Sequence, residues 1–333
     1  MIDRPSGQTS FFEDIIYDRV FRGMKHWLLD LERVVDFDQF RPVLEEPFSE
    51  ETGRPTDPVR LFKVVFLQFV ANLSDRKMQE ALQVNLLYKH FVGLPADGDA
   101  PDFSTISKFR TKLGAARFQQ IFNDVVKQAR SQGVVSDRLR LVDATHVRAR
   151  VDLFGKWRKK KGKGSGGGNG PTLPGSPDPD AAFGHKSATK AFYGYKAHIG
   201  ADADSQIITD LRVTPGNYDD GSELPWLIAD HPPKAVTADK GYDYRNNHNH
   251  CTRLHVQDAI IRKGKRRTRH RKLAKERPQV ERLFAEMKQW HGLGQARYRT
   301  AGKMAIQAVM TAIVLNCKRL VALADLQAEV CPA

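Results

Sequence analysis

Through the first part of the chain, apolar residues recur at helical spacing. In DPVRLFKVVFLQFVANL, Phe62, Phe66, Phe69 and Leu73 share one helical face, and Pro58 suits the first turn. Ser74 is placed to cap a second amphipathic helix, DRKMQEALQVNLLYKHFVGL, which Gly93 and Pro95 stop. A third begins in PDFSTISKFRTKLG, capped by Asp102 or Ser104 and interrupted at Gly114. A fourth carries Phe118, Ile121, Phe122 and Val125. The pattern predicts an all-helical domain over 1–135.

The period then changes. LRLVDATHVRARV is a short apolar, β-branched run rather than a helical stripe, and predicts a strand. A stretch at about 155–190 is too rich in Gly, Pro, Ser and Lys to pack, and reads as a flexible insertion. GYKAHIGADAD and QIITDLRVTPG look like paired strands turning at Asp204 and Ser205. A helix from Glu223 to Ala229, a strand at AVTAD, a helix after Tyr244 and a strand at DAIIRK continue the alternation, which predicts an α/β domain with a mixed sheet over 136–333. Pro278 opens a helix, QVERLFAEMKQWHG, that Gly292 ends. A long amphipathic helix closes the chain, with Ile306, Met310, Ile313 and Leu320 on its apolar face and Gln307, Asn316 and Lys318 on its wet side. No internal repeat is visible.

Two domains suit 333 residues at roughly 150 residues per domain. Against 39 acidic residues stand 53 Lys and Arg, a net charge of +14, so the expected partner is a polyanion: nucleic acid first, an anionic membrane surface second. The N-terminus lacks a signal-peptide pattern, and no run of eighteen uninterrupted apolar residues occurs, which disfavours the membrane. Three cysteines with no CxxC pair give neither a disulfide framework nor a common zinc spacing, and fit a reducing cytoplasm.

Chemistry concentrates in three acids. Asp143 and Asp239 each end an apolar strand, where acidic groups of an open α/β sheet can converge on a ligand. Glu281 lies on the helix after Pro278, with Phe284 and Lys288 on its face. Taken singly, each acid is more simply a cap, a turn residue or a solvated side chain. Together they are the hard-oxygen set that Mg²⁺, or Mn²⁺ as a substitute, needs for phosphoryl transfer, in which two ions about 4 Å apart stabilise the attacking and leaving oxygens.

Cations flank these acids. From Arg262 to Arg277, ten of sixteen residues are Lys or Arg, among them Lys265, Arg266, Arg267 and Arg269, and only Glu276 opposes them. A solvated charge run is the usual explanation. Its position before the helix of Glu281 favours contact with a DNA backbone. KWRKKKGK, 156–163, is equally readable as disorder or as a DNA contact, and only if it orders on DNA is Trp157 placed to stack on an unpaired base, the weaker reading. Lys108 and Arg110 belong to a possible recognition helix, although core packing explains its Phe103, Ile106 and Phe109 equally well. HNHCTRLH offers His248, His250, Cys251 and His255 at no closed zinc spacing, so a partly exposed helix is the better reading. GSGGGNG lacks the GK and hydroxyl residue of a phosphate loop.

GRPTDPVRLFKVVFLQ, LSDR, FVGL and PDFSTISKFRTKL, followed by LVDAT, GYKAH, TPGNYDD, TADKGYD and VERLFAEMKQWHGLGQARYRT, occur in an order that resembles the DDE transposases of bacterial insertion sequences, in particular the insertion-sequence-five-like group. The resemblance covers most of the chain. That family's signature of Tyr, two residues, Arg, three residues, Glu, six residues and Lys is met at Arg277, Glu281 and Lys288, with Ala274 in the tyrosine's place.

The resemblance implies an RNase H-like core behind a helical DNA-binding domain. Asp143, Asp239 and Glu281 become the metal ligands, and Arg277, Lys288 and Lys196 join the basic run as DNA contacts. It further implies a homodimer or larger assembly that binds terminal inverted repeats of double-stranded DNA, in which water cuts the ends and the freed 3′-hydroxyl attacks target DNA. A nuclease of the same fold without strand transfer, and a DNA-binding regulator with a silent site, are the alternatives.

Overall fold

The computed structural model describes residues 11–48, 56–152, 175–187, 190–264 and 267–330. The chain forms two compact units, one of residues 1–134 with 310–333 and one of residues 135–309. The division expected from sequence, 1–135 and 136–333, differs in the last helix, Ala301–Val330, whose residues from Met310 onward belong with the helical unit.

The first unit is helical, with described helices Phe11–Phe21, Trp27–Val34, Arg41–Glu45, Pro58–Val70, Asp75–Val84, Leu86–Val92 and Phe103–Ser131. Their starts are capped as the sequence dictates: Asp57, Ser74 and Asp102 accept the backbone N–H groups of Val59, Lys77 and Ser104. The expected third and fourth helices are one element broken at Gly114, whose φ of 72° and ψ of 166° lie outside the helical region and favour glycine. Phe37, Phe40, Phe62, Phe66 and Phe91 meet mostly edge-to-face or tilted and fill the core.

The second unit is built on a six-stranded mixed sheet of β1 (Arg140–Arg148), β2 (Ala182–Ser187), β3 (Lys190–Asp202), β4 (Ile208–Pro215), β5 (Ala235–Ala238) and β6 (Gln257–Asp258). The order is β2-β3-β1-β5-β6, and β4 pairs with β3 beyond β2. Strands β1, β3 and β4 are antiparallel neighbours, whereas β5 runs parallel to β1 and β6 parallel to β5. This three-plus-two arrangement is the RNase H-like sheet that the sequence reading expected. Val142, Val236 and Ala238 pack with Leu224, Leu227, Ile228, Cys251 and Ile260 on one side of it.

Two local expectations change. Asp143 does not end its strand, because the residues after it continue to pair with β3 as far as Arg148. What ends near Asp143 is the pairing with β5, whose last partners are Val142 and Ala238. Gln307 and Asn316, expected on the wet side of the last helix, are fully buried, and Gln307 donates to the carbonyls of Gly292 and Gln295 and accepts from the N–H of Arg297. Periodicity marks a polar residue but not the partners that let it be buried. The same helix is the one described segment long and apolar enough to cross a membrane, and 78% of its most apolar window is buried inside the protein.

Candidate active site

Parallel strands bring the two aspartates together. Because Leu141 pairs with Thr237 and Val142 with Ala238, the next residues, Asp143 and Asp239, leave the β1–β5 ladder side by side at its C-terminal end. Their proximity is felt electrostatically. Burial pushes the Asp143 carboxyl above its ordinary range, the Arg277 charge opposes that rise, and the Asp239 charge adds to it. Desolvation is the largest of these effects.

The turn after β5 is held from several sides. Asp239 accepts the N–H of Gly241 at 2.7 Å, and the amide of Asn247 donates to the carbonyls of Tyr242 at 3.0 Å and Gly221 at 2.8 Å, clamping this turn to the 219–222 turn. Gly221 has to be glycine: a Cβ there would lie 2.1 Å from the Tyr244 ring and 2.9 Å from the Gly241 carbonyl oxygen. Beneath the acids, Tyr242 is fully buried and its hydroxyl has no hydrogen-bond partner among the described residues. Burial first, then the charges of Asp143, Asp220, Asp239 and Glu223, push that phenol well above its usual range.

Glu281 stands in the first turn of the helix Gln279–Gln289, which Val280, Leu283 and Met287 anchor by complete burial. Its side chain is 61% exposed and meets the aspartates through Arg277. One guanidinium nitrogen of Arg277 donates to Asp143 Oδ2 at 2.5 Å, and the other donates to Glu281 Oε1 at 3.1 Å. A cation therefore already bridges two of the three expected ligands. Among the described residues, no three His, Cys, Asp or Glu side chains are arranged to hold a metal ion. The chemistry of the donor set nevertheless fits a hard divalent ion. Two carboxylates, Asp143 and Asp239, are held adjacent, Asp143 is desolvated, and the third, Glu281, shares the Arg277 guanidinium with Asp143.

The remaining expected contacts divide. Arg267 and Arg269 are exposed and Lys288 is half-buried with its stem near Gly294, while Lys265 and Arg266 lie outside the described residues. The run is less uniform than its composition suggests, since Arg262 bonds to Asp243 and Asp258. Lys196 is only 15% exposed and holds the 218–220 turn through an ion pair with Asp220 at 2.9 Å and a bond to the Tyr218 carbonyl at 2.8 Å. In the helical unit, Lys108 is exposed. Arg110 is not available as a DNA contact: its side chain is buried and donates to both oxygens of Asp75, at 3.0 and 2.8 Å, and to Gln68.

The histidine cluster is structural. His248 sits between Asp258 at 2.7 Å and Asp243 at 2.8 Å, and Cys251 is buried in the core. Trp157 and GSGGGNG lie outside the described residues. Sequence reasoning passed over Asn247, Gly221, Asp220 and Arg138. It noted Glu276 only as the lone acid of the basic run, which is itself the signal that the residue has a specific partner.

A family model described as the transposase DDE domain matches residues 136–317, and one described as a transposase domain matches residues 16–112. The chain belongs to the DDE transposase family. It is therefore a DNA-cleaving and strand-transferring enzyme of insertion-sequence type, and its family uses divalent metal ions. Among solved structures it is similar to a piggyBac transposase in a synaptic complex with hairpin DNA, at 10% identity and a TM-score of 0.44, over 94% of this chain and 78% of the other.

Proposed function

We propose that this DDE transposase acts through Asp143, Asp239 and Glu281 on the terminal inverted repeats of an insertion sequence of the insertion-sequence-five-like group. The observation that carries this reading is the β1–β5 register, which sets Asp143 beside Asp239 while Arg277 ties Asp143 to Glu281.

Asp143, Asp239 and Glu281 would hold the divalent ion, for which Mg²⁺ is proposed with Mn²⁺ as its substitute. When bound, such ions supply Lewis-acid polarisation of the phosphate and a reactive water. The chain's own residues do the rest. The Arg277 guanidinium matches a phosphate as well as it matches a carboxylate, so an incoming DNA strand competes for the donors now shared by Asp143 and Glu281. Lys288, seven residues beyond Glu281 on the same helical face, supports the neighbouring phosphate. Arg267 and Arg269, with the rest of their basic run, hold the flanking duplex, and exposed Lys108 of the helical unit faces the repeat. The DNA is double-stranded at both the element's ends and the target. Joining two ends calls for a homodimer or larger assembly, working in the cytoplasm on nucleoid DNA.

Asp143→Ala, Asp239→Ala and Glu281→Ala should each abolish metal-dependent cleavage of an end-containing duplex while leaving its gel-shift binding within about threefold, as expected where phosphate contacts dominate affinity. Cleavage that survives any one of these substitutions removes that residue from the set. Pre-cut ends supplied with target DNA should yield joined product.

A further inference from the structure

We propose that Arg138 and Glu276 form a positioning latch, which sets the first turn of the Gln279–Gln289 helix so that Glu281 faces the two aspartates. The proposal rests on the reading of Glu281 as a metal ligand. Arg138 lies two residues before β1 and donates to both oxygens of Glu276, at 3.1 and 2.8 Å. It is fixed in turn by Asp204, which accepts from the same guanidinium at 2.6 to 3.1 Å and from the Ser136 hydroxyl at 2.7 Å. A second tie runs parallel to the first: the Gln206 amide, held in the β3–β4 turn by the Ala203 carbonyl, donates to Gln279 Oε1 at 2.7 Å. Residues 276 and 279 are thus fastened to the β1 and β3–β4 end of the sheet. Arg277 directly follows Glu276, and Glu281 lies within the same turn and a half.

The charge pattern explains why such a latch is needed. Arg267, Arg269, Arg271, Lys272 and Lys275 leading into this point are exposed, repel one another and are drawn outward by a phosphate backbone. Glu276 is the only acid among residues 262–277, and it faces the sheet rather than the run. A paired fork of two hydrogen bonds fixes direction as well as distance, which a solvated ion pair does not. With Arg138 42% and Glu276 28% exposed, the pair adds little to global stability. Its effect falls on geometry.

The test measures Mn²⁺ binding by electron paramagnetic resonance on the full chain bound to a pre-cut DNA end. Glu276→Ala should weaken Mn²⁺ binding by about tenfold, as loss of an outer-shell partner does. DNA binding should stay equal or tighten, because the variant gains one positive charge. Arg138→Ala should match it on Mn²⁺, and Glu276→Gln, which keeps shape and a hydrogen bond, should lose less. If Glu276→Ala melts early, Arg138→Ala carries the same comparison. Wild-type Mn²⁺ affinity in Glu276→Ala, alongside its loss in Glu281→Gln, overturns the latch alone. Unchanged Mn²⁺ affinity in Glu281→Gln overturns the ligand reading and the latch with it.

Discussion

Asp143 is held where its charge is costly. Its folded-state pKa is raised from an ordinary 3.8, by burial first and despite Arg277. A carboxyl shifted in that direction favours the fold below its unfolded pKa, and the contribution disappears as pH rises through the folded value. Wherever Asp143 is ionised, its charge therefore works against stability. Asp143→Asn is expected to melt above wild type at pH 7, with the gap closing as pH falls to about 4, the range where an ordinary carboxyl protonates. Thermal melts at the two pH values test this, and an Asp143→Asn protein that melts below wild type at pH 7 contradicts it. Arg110 makes the opposite case. Removing it takes the paired cation from the Asp75 carboxylate, which keeps the Gln68 amide, so Arg110→Ala should cost about 3 kcal/mol in urea unfolding. Lys108→Ala should change stability by less than about 0.5 kcal/mol. Sequence alone gave these two cations the same role, because the partner that separates them lies 35 positions away. Asp143 and Asp239 were legible as acids closing apolar runs. Glu281 became legible only through its spacing from Arg277 and Lys288.

At the scale of elements, the helix Gln279–Gln289 carries the least constrained acid on a firmly buried stem. Leu283, fully buried two residues beyond Glu281, keeps that stem in register. Leu283→Ala should destabilise the protein by about 2–5 kcal/mol through the cavity it leaves. It should also lower cleavage more than DNA binding, read by urea unfolding beside cleavage and gel-shift assays on the same preparation. The pattern of strands and helices was readable because period two and period 3.6 differ plainly in this chain. Which strand edges pair was not readable. β1 looked finished at Asp143 since its later residues, Thr145, His146 and Arg148, are polar, yet they pair with β3, with Thr145 buried, His146 half-buried and Arg148 exposed. The long Phe103–Ser131 element shows the converse, for Gly114 marked its break in the sequence and the backbone breaks there.

Over the whole molecule, the excess of +14 charges governs encounter with DNA rather than fold. Binding to a duplex end should fall by roughly 10³ to 10⁵ between 50 and 200 mM salt, as for a protein making six to ten phosphate contacts. A nearly flat dependence measured by fluorescence anisotropy would count against the basic run as a backbone contact. The helix Ala301–Val330 has a further consequence, because its residues from Met310 onward complete the unit that begins at the N-terminus. In that half Lys318 caps the Trp27 ring at 5.7 Å, joining two positions of the bundle that the whole second unit separates in sequence. During translation the sheet can assemble as soon as residue 309 has emerged, whereas the helical bundle must wait for the residues from Met310 onward. A nascent chain thus holds its chemistry ready before the bundle that precedes it in sequence closes.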